Sequence, residues 1–408
     1  MRLVTTKTKL LSHLAVLGAV RDPVGLPLFL KLFPAAIGFL HLTSLRFSGF
    51  VYLAFPFMLM ANVAAIGAGT PPTLMLRLNF AFMLVFFASF VAQMDQKQVV
   101  DSLVKVLLPV IIVTAFLEML LGPTNARTIN SLLPDMGLPT IYIPRMRGIN
   151  GGSNFSAMIS GVMSLIFIHH RRRWPAIIST VVMLLFLSRT GTGAFLIAWA
   201  LMVSPLVIRA AAVIASAAIF VMIPWIVLIS QQILTPAEKF YLILLTSSRY
   251  LHWTNFVNFG LENPIFGVGY FKGMEYYQQA VKFEFLGGHM RTGALHLEAH
   301  NFLIDMWAEL GVLTVILFCV FYLYVAWASI RAGGLASALF FFVTLGYLFL
   351  SGLSDWSFWF TVGMIFNCLR QARAVEGAAR RRPALGPGRW RSGAELPAGA
   401  VARTGGPA

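Results

Sequence analysis

Long apolar runs are the feature of this sequence that most limits how the chain folds. They recur from end to end, and a helix of roughly 20 apolar residues spans the hydrocarbon core of a bilayer. The composition agrees: 58% of the residues are hydrophobic and 11% are charged, whereas about a quarter of a soluble domain is charged. The sequence therefore predicts an all-α polytopic membrane protein.

The apolar runs predict about 12 transmembrane helices. A short run at 10–20 follows a basic N-terminus, and without it the count is 11. We predict a transmembrane domain over residues 1–370 and a disordered, basic tail over 371–408, which is rich in Arg, Gly, Ala and Pro. The predicted helices are at about 10–20, 24–45, 49–69, 72–94, 101–121, 152–169, 174–188, 192–208, 211–230, 299–330, 335–352 and 356–370.

Basic residues predict which loops share a side of the membrane. Arg171, Arg172 and Arg173 mark a cytoplasmic turn under the positive-inside rule, and alternation from that turn places both termini inside. Loops at about 122–150 and 231–298 then face the opposite side, the longer one directly before the tenth helix. The net charge of +16 thus reflects topology and contact with membrane lipids, and we predict no nucleic-acid partner.

Cationic side chains gather at the predicted outer ends of the helices. Arg147 precedes the sixth helix and Arg189 lies in the turn SRTG. Arg249 lies in the long loop, and His300 begins the tenth helix. Arginine binds adjacent phosphate oxygens through its planar fork, and a neutral histidine accepts a proton from a hydroxyl. The pattern predicts a site for a phosphate-bearing lipid, where pyrophosphate leaves and a hydroxyl attacks.

Each of these residues also has a structural alternative. His300 can anchor its helix at the interface, and Arg189 can extend to the membrane surface in the same way. Arg147 can position a loop, and Arg249 can lie on the surface of one. Glu309 lies nine residues after His300, about 13 Å into an apolar helix at 1.5 Å per residue. A carboxyl at that depth is costly and faces a cavity or a partner, so an arginine partner and a role in the site are both open.

Metal and nucleotide sites are not predicted. His296 and His300 have the spacing of the zinc-protease motif HExxH, but Glu298 occupies the third position of HLEAH rather than the second. On a helix that position turns the carboxyl away from the face that the histidines share. The chain also lacks a P-loop, and its two cysteines lie in apolar segments, so we predict no cofactor.

Four stretches resemble, in this order, the O-antigen ligase and polysaccharide polymerase family of bacterial inner membranes. The last two, with R-x-x-x-W, P-x-x-G-x-G and HN-x-x-L…E-x-G, carry most of the likeness, which covers about residues 140–330. The stretches are RGINGGSN at 147–154, SRTG at 188–191, SSRYLHW…NPIFGVGY at 247–270 and HNFLIDMWAELG at 300–311.

The resemblance implies a lipid-linked oligosaccharide glycosyltransferase in the inner membrane. Such enzymes transfer a glycan from undecaprenyl pyrophosphate to an acceptor hydroxyl on the periplasmic side, with inversion and without metal. The acceptor is a polysaccharide repeat unit or lipid A core. The resemblance implies that His300 is the catalytic base and that Arg189 and Arg249 bind the pyrophosphate.

Three further residues are predicted to bind substrate: Arg147, Asn301 and Glu309. The alternative function is a polytopic secondary transporter or a flippase for lipid-linked glycans. That class predicts intramembrane charges on several helices, helices broken at mid-bilayer and repeat symmetry. This chain has few such charges and a large outer loop instead.

Overall fold

The computed structural model describes most of the chain as helices. The described residues are 2–20, 29–44, 47–121, 125–128, 142–146, 153–186, 188–246, 249–273, 300–350, 353 and 355–381. In chain order the helices are α1 Arg2–Leu17, α2 Phe29–Thr43, α3 Phe50–Gly67, α4 Pro72–Gln93, α5 Gln96–Ser102, α6 Leu108–Leu121, α7 Ser153–His169, α8 Arg173–Leu185, α9 Arg189–Val203, α10 Leu206–Ile233, α11 Pro236–Leu245, α12 Arg249–Glu262, α13 Phe302–Ala332, α14 Gly334–Tyr347 and α15 Trp356–Arg381, with a π-helical turn Leu103–Leu107 between α5 and α6.

Five helical stretches among the described residues are long and apolar enough to cross a membrane: Phe50–Gly67, Pro72–Gln93, Gln96–Leu120, Leu206–Ile233 and Phe302–Ala332. Shorter apolar helices of 10–17 residues stand beside them, including α7, α8 and α14. A helix lies in each of the predicted segments, so the helical membrane class is confirmed. The count of about 12 crossings stays a prediction.

The structure departs from the sequence prediction in two loops and in the tail. The 122–150 loop contains two antiparallel strands, β1 Asn125–Thr128 and β2 Tyr142–Arg145, and the long loop contains α11 and α12. The tail was predicted to be disordered from residue 371, but α15 continues to Arg381 because QARAVEGAARR is rich in strong helix formers. Residues 382–408 lie outside the described part.

Helix α13 is the element around which the core is built. It packs against α3, α10, α12 and α14. Its Phe318 is fully buried and contacts five aromatic rings at centroid distances of 5.0 to 6.3 Å, namely Phe57, Phe302, Phe321, Tyr322 and Phe358. Because aromatic pairs add to the free energy of burial, this cluster fixes α13 firmly among its neighbours.

Helix α13 is broken at Gly311, where φ is 75° and ψ is 170°. The loop that follows α12 enters the break, and its backbone satisfies peptide groups that the interrupted helix leaves open. Three hydrogen bonds join the loop to the break: Val268 N to Ala308 O at 2.8 Å, Gly269 N to Glu309 O at 3.1 Å, and Val312 N to Pro264 O at 2.8 Å.

Two glycines allow this close approach. A Cβ on Gly311 would lie 2.1 Å from the carbonyl oxygen of Ile265, and a Cβ on Gly267 (φ 68°) would lie 2.4 Å from the carbonyl carbon of Glu309. The stretch NPIFGVG and the stretch AELG, about 40 residues apart in sequence, therefore form one structural unit that depends on glycine in both halves.

The break lies two residues after Glu309. After Gly311 the helix still runs from Val312 to Ala332, about 31 Å at 1.5 Å per residue, which spans a bilayer core unaided. Glu309 precedes both this segment and the break, so the break does not alter the sequence-based rise of about 13 Å from His300. The depth of the carboxyl in a membrane stays a prediction. The carboxyl belongs at the junction of a short helix, Phe302 to Leu310, with the long one.

Contacts between helix ends agree with the predicted sides of the membrane. Arg172 forms an ion pair with Asp101 at 3.2 Å, and both residues are at ends that the positive-inside rule places in the cytoplasm. Lys272 Nζ donates to Gly69 O at 2.9 Å, which joins the long loop to the turn between α3 and α4, both predicted on the other side. These contacts support the predicted pairing of the loops.

Candidate active site

The N-terminus of α13 provides the first part of the site. Asn301 is the N-cap, and its Oδ1 accepts from Leu303 N at 3.1 Å and Ile304 N at 3.0 Å. Its Nδ2 donates to Leu348 O at 3.0 Å, just after α14, and the residue is 0% exposed. Asn301 therefore holds the start of α13 against the end of α14.

His300 immediately precedes this cap in an unusual backbone conformation. Its φ is 55°, in the left-handed region that residues other than glycine adopt infrequently. Asn301, the next residue, has extended dihedral angles, φ −144° and ψ 121°. The fixed cap that follows thus holds His300 at a sharp change of chain direction, at the start of the helix.

Helix α12 supplies the second part of the site. Arg249 is its first residue and His252 follows three positions later, so the two side chains lie on one face of the helix. The Arg249 Cζ lies 5.5 Å from the ring centroid of Phe349, in a cation–π arrangement. The His252 ring is 6.4 Å from the His300 ring, edge to face at 77°. The structure therefore brings His300 and Arg249 together, as predicted.

The surroundings keep both imidazoles neutral. Burial first, and then the nearby Arg249 and His252, together lower the pKa of His300 to about 4. Burial also lowers the pKa of His252, again helped by Arg249. At neutral pH the site therefore combines one permanent cation with a histidine that has a free lone pair, which is the protonation state of a general base.

Arg189 begins α9 beside a small cavity. The side chain of Arg189 lies outside the described part of the structure, but its neighbours are well defined. Ser188 caps the helix, and its Oγ accepts from Gly191 N at 3.1 Å. The cavity lies between the N-terminal ends of α7 and α9 and the C-terminal end of α14. It is lined by Asn154, Met158, Ser188, Thr190, Gly191, Gly346, Phe349 and Leu350.

Phe349 connects this cavity to the histidine pair. Its ring lines the cavity and also receives the Arg249 guanidinium, whose Cζ lies 5.5 Å from the ring centroid. The starts of α9 and α12 are therefore both close to Phe349. Both helix N-termini at the cavity direct the positive end of a backbone dipole toward it, which favours an anion there.

Glu309 lies at the break in α13 rather than beside His300. Its carbonyl oxygen accepts from Gly269 N at 3.1 Å, and a side chain on Gly273 would meet its Oε1 at 3.4 Å. The carboxyl therefore faces the GYFKG turn that leads into the long loop. The substrate-binding role predicted for Glu309 and for the buried Asn301 stays a prediction, and each has a structural role as well.

Two predicted features fall wholly or partly outside the described residues. Arg147 is outside them, one residue after the buried Met146, and so are His296 and Glu298 of the HLEAH string. Among the residues that the structure does describe, no group of three or more His, Cys, Asp or Glu side chains could hold a metal ion.

His252 is the residue that the sequence analysis did not assign to the site. Its signal was the spacing R-x-x-H, which places two side chains on one helical face. That spacing has meaning only on a helix, and the sequence alone leaves the fold of the long loop open.

Comparison with known families agrees with the four stretches noted in the sequence. Residues 152–319 match the family model described as O-antigen ligase. The chain carries an O-antigen ligase domain. No curated protein matches the chain significantly.

The matched region contains most of the side chains described above. It covers about two fifths of the chain, from the start of α7 to Cys319 within α13. Arg189, Arg249, His252 and His300 lie within it, whereas Arg147 and the end of α14 with Phe349 lie outside it. Both halves of the broken-helix unit also lie within the matched region. The apolar helices and the family match together indicate a membrane protein.

Proposed function

We propose that this O-antigen ligase domain transfers a glycan from undecaprenyl pyrophosphate to an acceptor hydroxyl at the periplasmic face of the inner membrane. The acceptor is a hydroxyl of a polysaccharide repeat unit or of lipid A core. The observation that carries the proposal is the juxtaposition of a neutral histidine, His300, with the permanent cation of Arg249 at the start of a membrane helix. The reaction needs a base and a group that stabilises an anionic leaving group.

The proton balance assigns His300 its role. The acceptor oxygen forms a bond to the anomeric carbon and loses its proton to the His300 imidazole. The bond from that carbon to the pyrophosphate oxygen breaks, and the electron pair leaves with the pyrophosphate. Because the two oxygens occupy opposite faces of the sugar, the configuration inverts. Pyrophosphate is an activated leaving group, so the step requires neither ATP nor a metal ion.

Arg249, with Arg189, stabilises the charge that develops on the pyrophosphate. The guanidinium of Arg249 is held by the Phe349 ring next to the cavity between α7 and α9. A preorganised donor aimed at developing charge contributes about 3–4 kcal/mol to catalysis. The positive ends of the helix dipoles at the cavity also stabilise the negative charge on the pyrophosphate. Arg147, Asn301 and Glu309 complete the proposed set, Asn301 by holding the His300 backbone and Glu309 at the helix break.

The location of the break supports a surface reaction rather than transport. A transporter or flippase predicts helices interrupted at mid-bilayer. The interruption at Gly311 instead separates a short helix from a segment long enough to span the membrane alone. We infer from this that the irregular backbone lies at the membrane boundary, where a lipid-linked donor would be reached.

Reconstitution with a defined donor tests the proposed function. The purified protein, in vesicles with undecaprenyl-pyrophosphate glycan, is offered a second repeat unit or lipid A core. A ladder from the donor alone indicates a polymerase, and a single adduct on the core indicates a ligase. His300→Gln is expected to lower the transfer rate by about 10²- to 10⁴-fold. Absence of product from wild-type protein with every acceptor would overturn the proposal.

Two controls make this experiment specific. His170→Gln alters a partly buried histidine at the opposite end of α7, and it is expected to leave transfer unchanged. EDTA is expected to leave the wild-type rate unchanged. A loss that a divalent ion restores would remove the metal-independent mechanism while leaving glycan transfer itself intact.

A further inference from the structure

The site contains a second histidine that the proposed reaction does not use. His252 is 8% exposed and lies on the buried face of α12, whose other members are aromatic or aliphatic: Tyr250, Trp253, Phe256, Val257 and Phe259. A large apolar side chain would fill such a position without the cost of burying a polar ring. The imidazole therefore calls for an explanation beyond packing.

The ring that His252 contacts is the ring of the proposed base. The centroids are 6.4 Å apart, and the planes meet at 77°, an edge-to-face contact that restricts how the His300 ring can turn. His252 therefore packs directly against the proposed base.

The charged groups around His300 come from two helices. Arg249 and His252 face it from α12, and Asp305 lies in the first turn of its own helix, α13. The adjoining end of α14 contributes the uncharged Leu348 and Phe349. A proton added to either imidazole would therefore sit close to the arginine cation and to the other ring, and such neighbours titrate as a coupled pair.

We propose that His252 is a positioning residue, which holds the His300 ring edge-on and keeps it unprotonated until the anionic donor binds. The inference rests on the proposed function for its catalytic meaning. A donor pyrophosphate beside Arg249 offsets the positive charge of the guanidinium. The proton affinity of His300 therefore rises once the donor is bound, which is the state in which His300 accepts the proton of the acceptor hydroxyl. Before binding, the coupled pair excludes a proton that would remove the lone pair.

A chemical measurement tests this coupling without any glycan substrate. Diethyl pyrocarbonate reacts with the neutral form of an imidazole and not with the protonated form, and fragment-ion mass spectrometry that separates His300 from His296 gives the rate of modification of His300 at each pH. In wild-type protein the rate is expected to stay constant well below pH 6.5 and to decline only toward pH 4. In His252→Phe, which keeps a ring but removes the titratable group, the decline is expected at higher pH.

The matched control is another histidine pair in the same chain. His169 and His170 are 5.2 Å apart at 87°, at the end of α7. His170→Phe is expected to leave the His300 profile unchanged. Identical His300 profiles in wild-type protein and His252→Phe would overturn the electrostatic half of the proposal.

Transfer kinetics test the positioning half. His252→Ala removes the ring contact and is expected to lower kcat by about 10- to 100-fold, as small misplacements of a base do, with the donor KM unchanged. His252→Phe is expected to restore most of kcat at neutral pH, because it restores the edge contact. Equal kcat values for His252→Ala and wild type, or an effect on KM alone, would overturn the proposal that His252 positions the His300 ring. If no variant and no wild-type sample transfers glycan, the proposed function fails, and the modification profiles still decide the coupling.

Discussion

Replacing Gly311 by alanine is expected to destabilise the fold at the break in α13. With φ 75° and ψ 170° the residue occupies a region that is essentially restricted to glycine, and another residue there costs about 1–3 kcal/mol. The new Cβ would also lie 2.1 Å from Ile265 O and 2.9 Å from Phe266 N. Because these are backbone atoms, the loop has to move away.

The movement of the loop makes a second contribution to the loss of folding stability. The hydrogen bond from Val312 N to Pro264 O, 2.8 Å long, is lost or weakened, and an unsatisfied buried group costs about 1–3 kcal/mol. The expected total is about 2–6 kcal/mol for Gly311→Ala. We expect the melting temperature in detergent to fall and hydrogen exchange to accelerate in residues 263–269.

Gly333 provides a control that separates the two contributions. Its φ of 103° and ψ of −169° lie in the same glycine-restricted region, but no heavy atom lies within 4 Å of its added Cβ. Gly333→Ala therefore bears only the conformational cost of about 1–3 kcal/mol. If Gly311→Ala and Gly333→Ala melt at the same temperature, with no change in exchange at 263–269, the argument that the docked loop stabilises the break is refuted.

Three further predictions concern the histidine and its surroundings. Arg249→Lys keeps the charge but loses the planar fork and the stacking on Phe349, so kcat/KM should fall by about 10- to 100-fold, the equivalent of one charged hydrogen bond; a wild-type value would exclude the bidentate role. Because His300 must be neutral to accept a proton and its pKa is about 4, kcat/KM should hold as the pH falls from 7 and drop only toward pH 4; a drop centred near 6.5 would contradict the burial argument. Between pH 7 and pH 4 the folded state also loses stability, because His300 binds a proton more readily in the unfolded chain than in the folded one. Helicity is therefore monitored at each pH in parallel with kcat/KM. Asn301→Ala should lower the free energy of unfolding by about 2–4 kcal/mol, through loss of the helix cap and of the bond to Leu348 O; Asn301→Asp keeps the cap, and a melting temperature no higher than that of alanine would refute the capping role.

The sequence predicted the membrane class, whereas the roles of His300 and Arg249 in the site stay predictions. Apolar run length defines a spanning helix almost independently of tertiary contacts, because the bilayer sets the length. His300 and Arg249 were identified because few side chains offer a base or a phosphate fork, so chemistry restricted the choice. The cap role of Asn301 was also within reach, since an Asn directly before an apolar run is an N-cap signal.

The broken helix and the second histidine were not predicted, for a shared physical reason. Both depend on contacts between segments far apart in the chain. Residues 302–332 have an unbroken apolar pattern, and only the approach of the loop after α12 shows that Gly311 interrupts them. His252 gains significance only once α12 is known to be a helix that packs against α13.

The motif HNFLIDMWAELG thus contains one proposed catalytic residue and two residues with structural roles. His300 is the proposed base, Asn301 caps the helix directly after it, and Gly311 leaves space for the loop that follows α12. That loop carries NPIFGVG, and α12 carries Arg249 and His252, so one backbone junction sets the distance between the proposed base and the cation. A change at the junction should therefore alter catalysis as well as stability, even though the Gly311 side of the break contains no reactive group. In this chain the interrupted helix is completed by the loop that follows α12, and α12 is the helix that brings the arginine to the histidine.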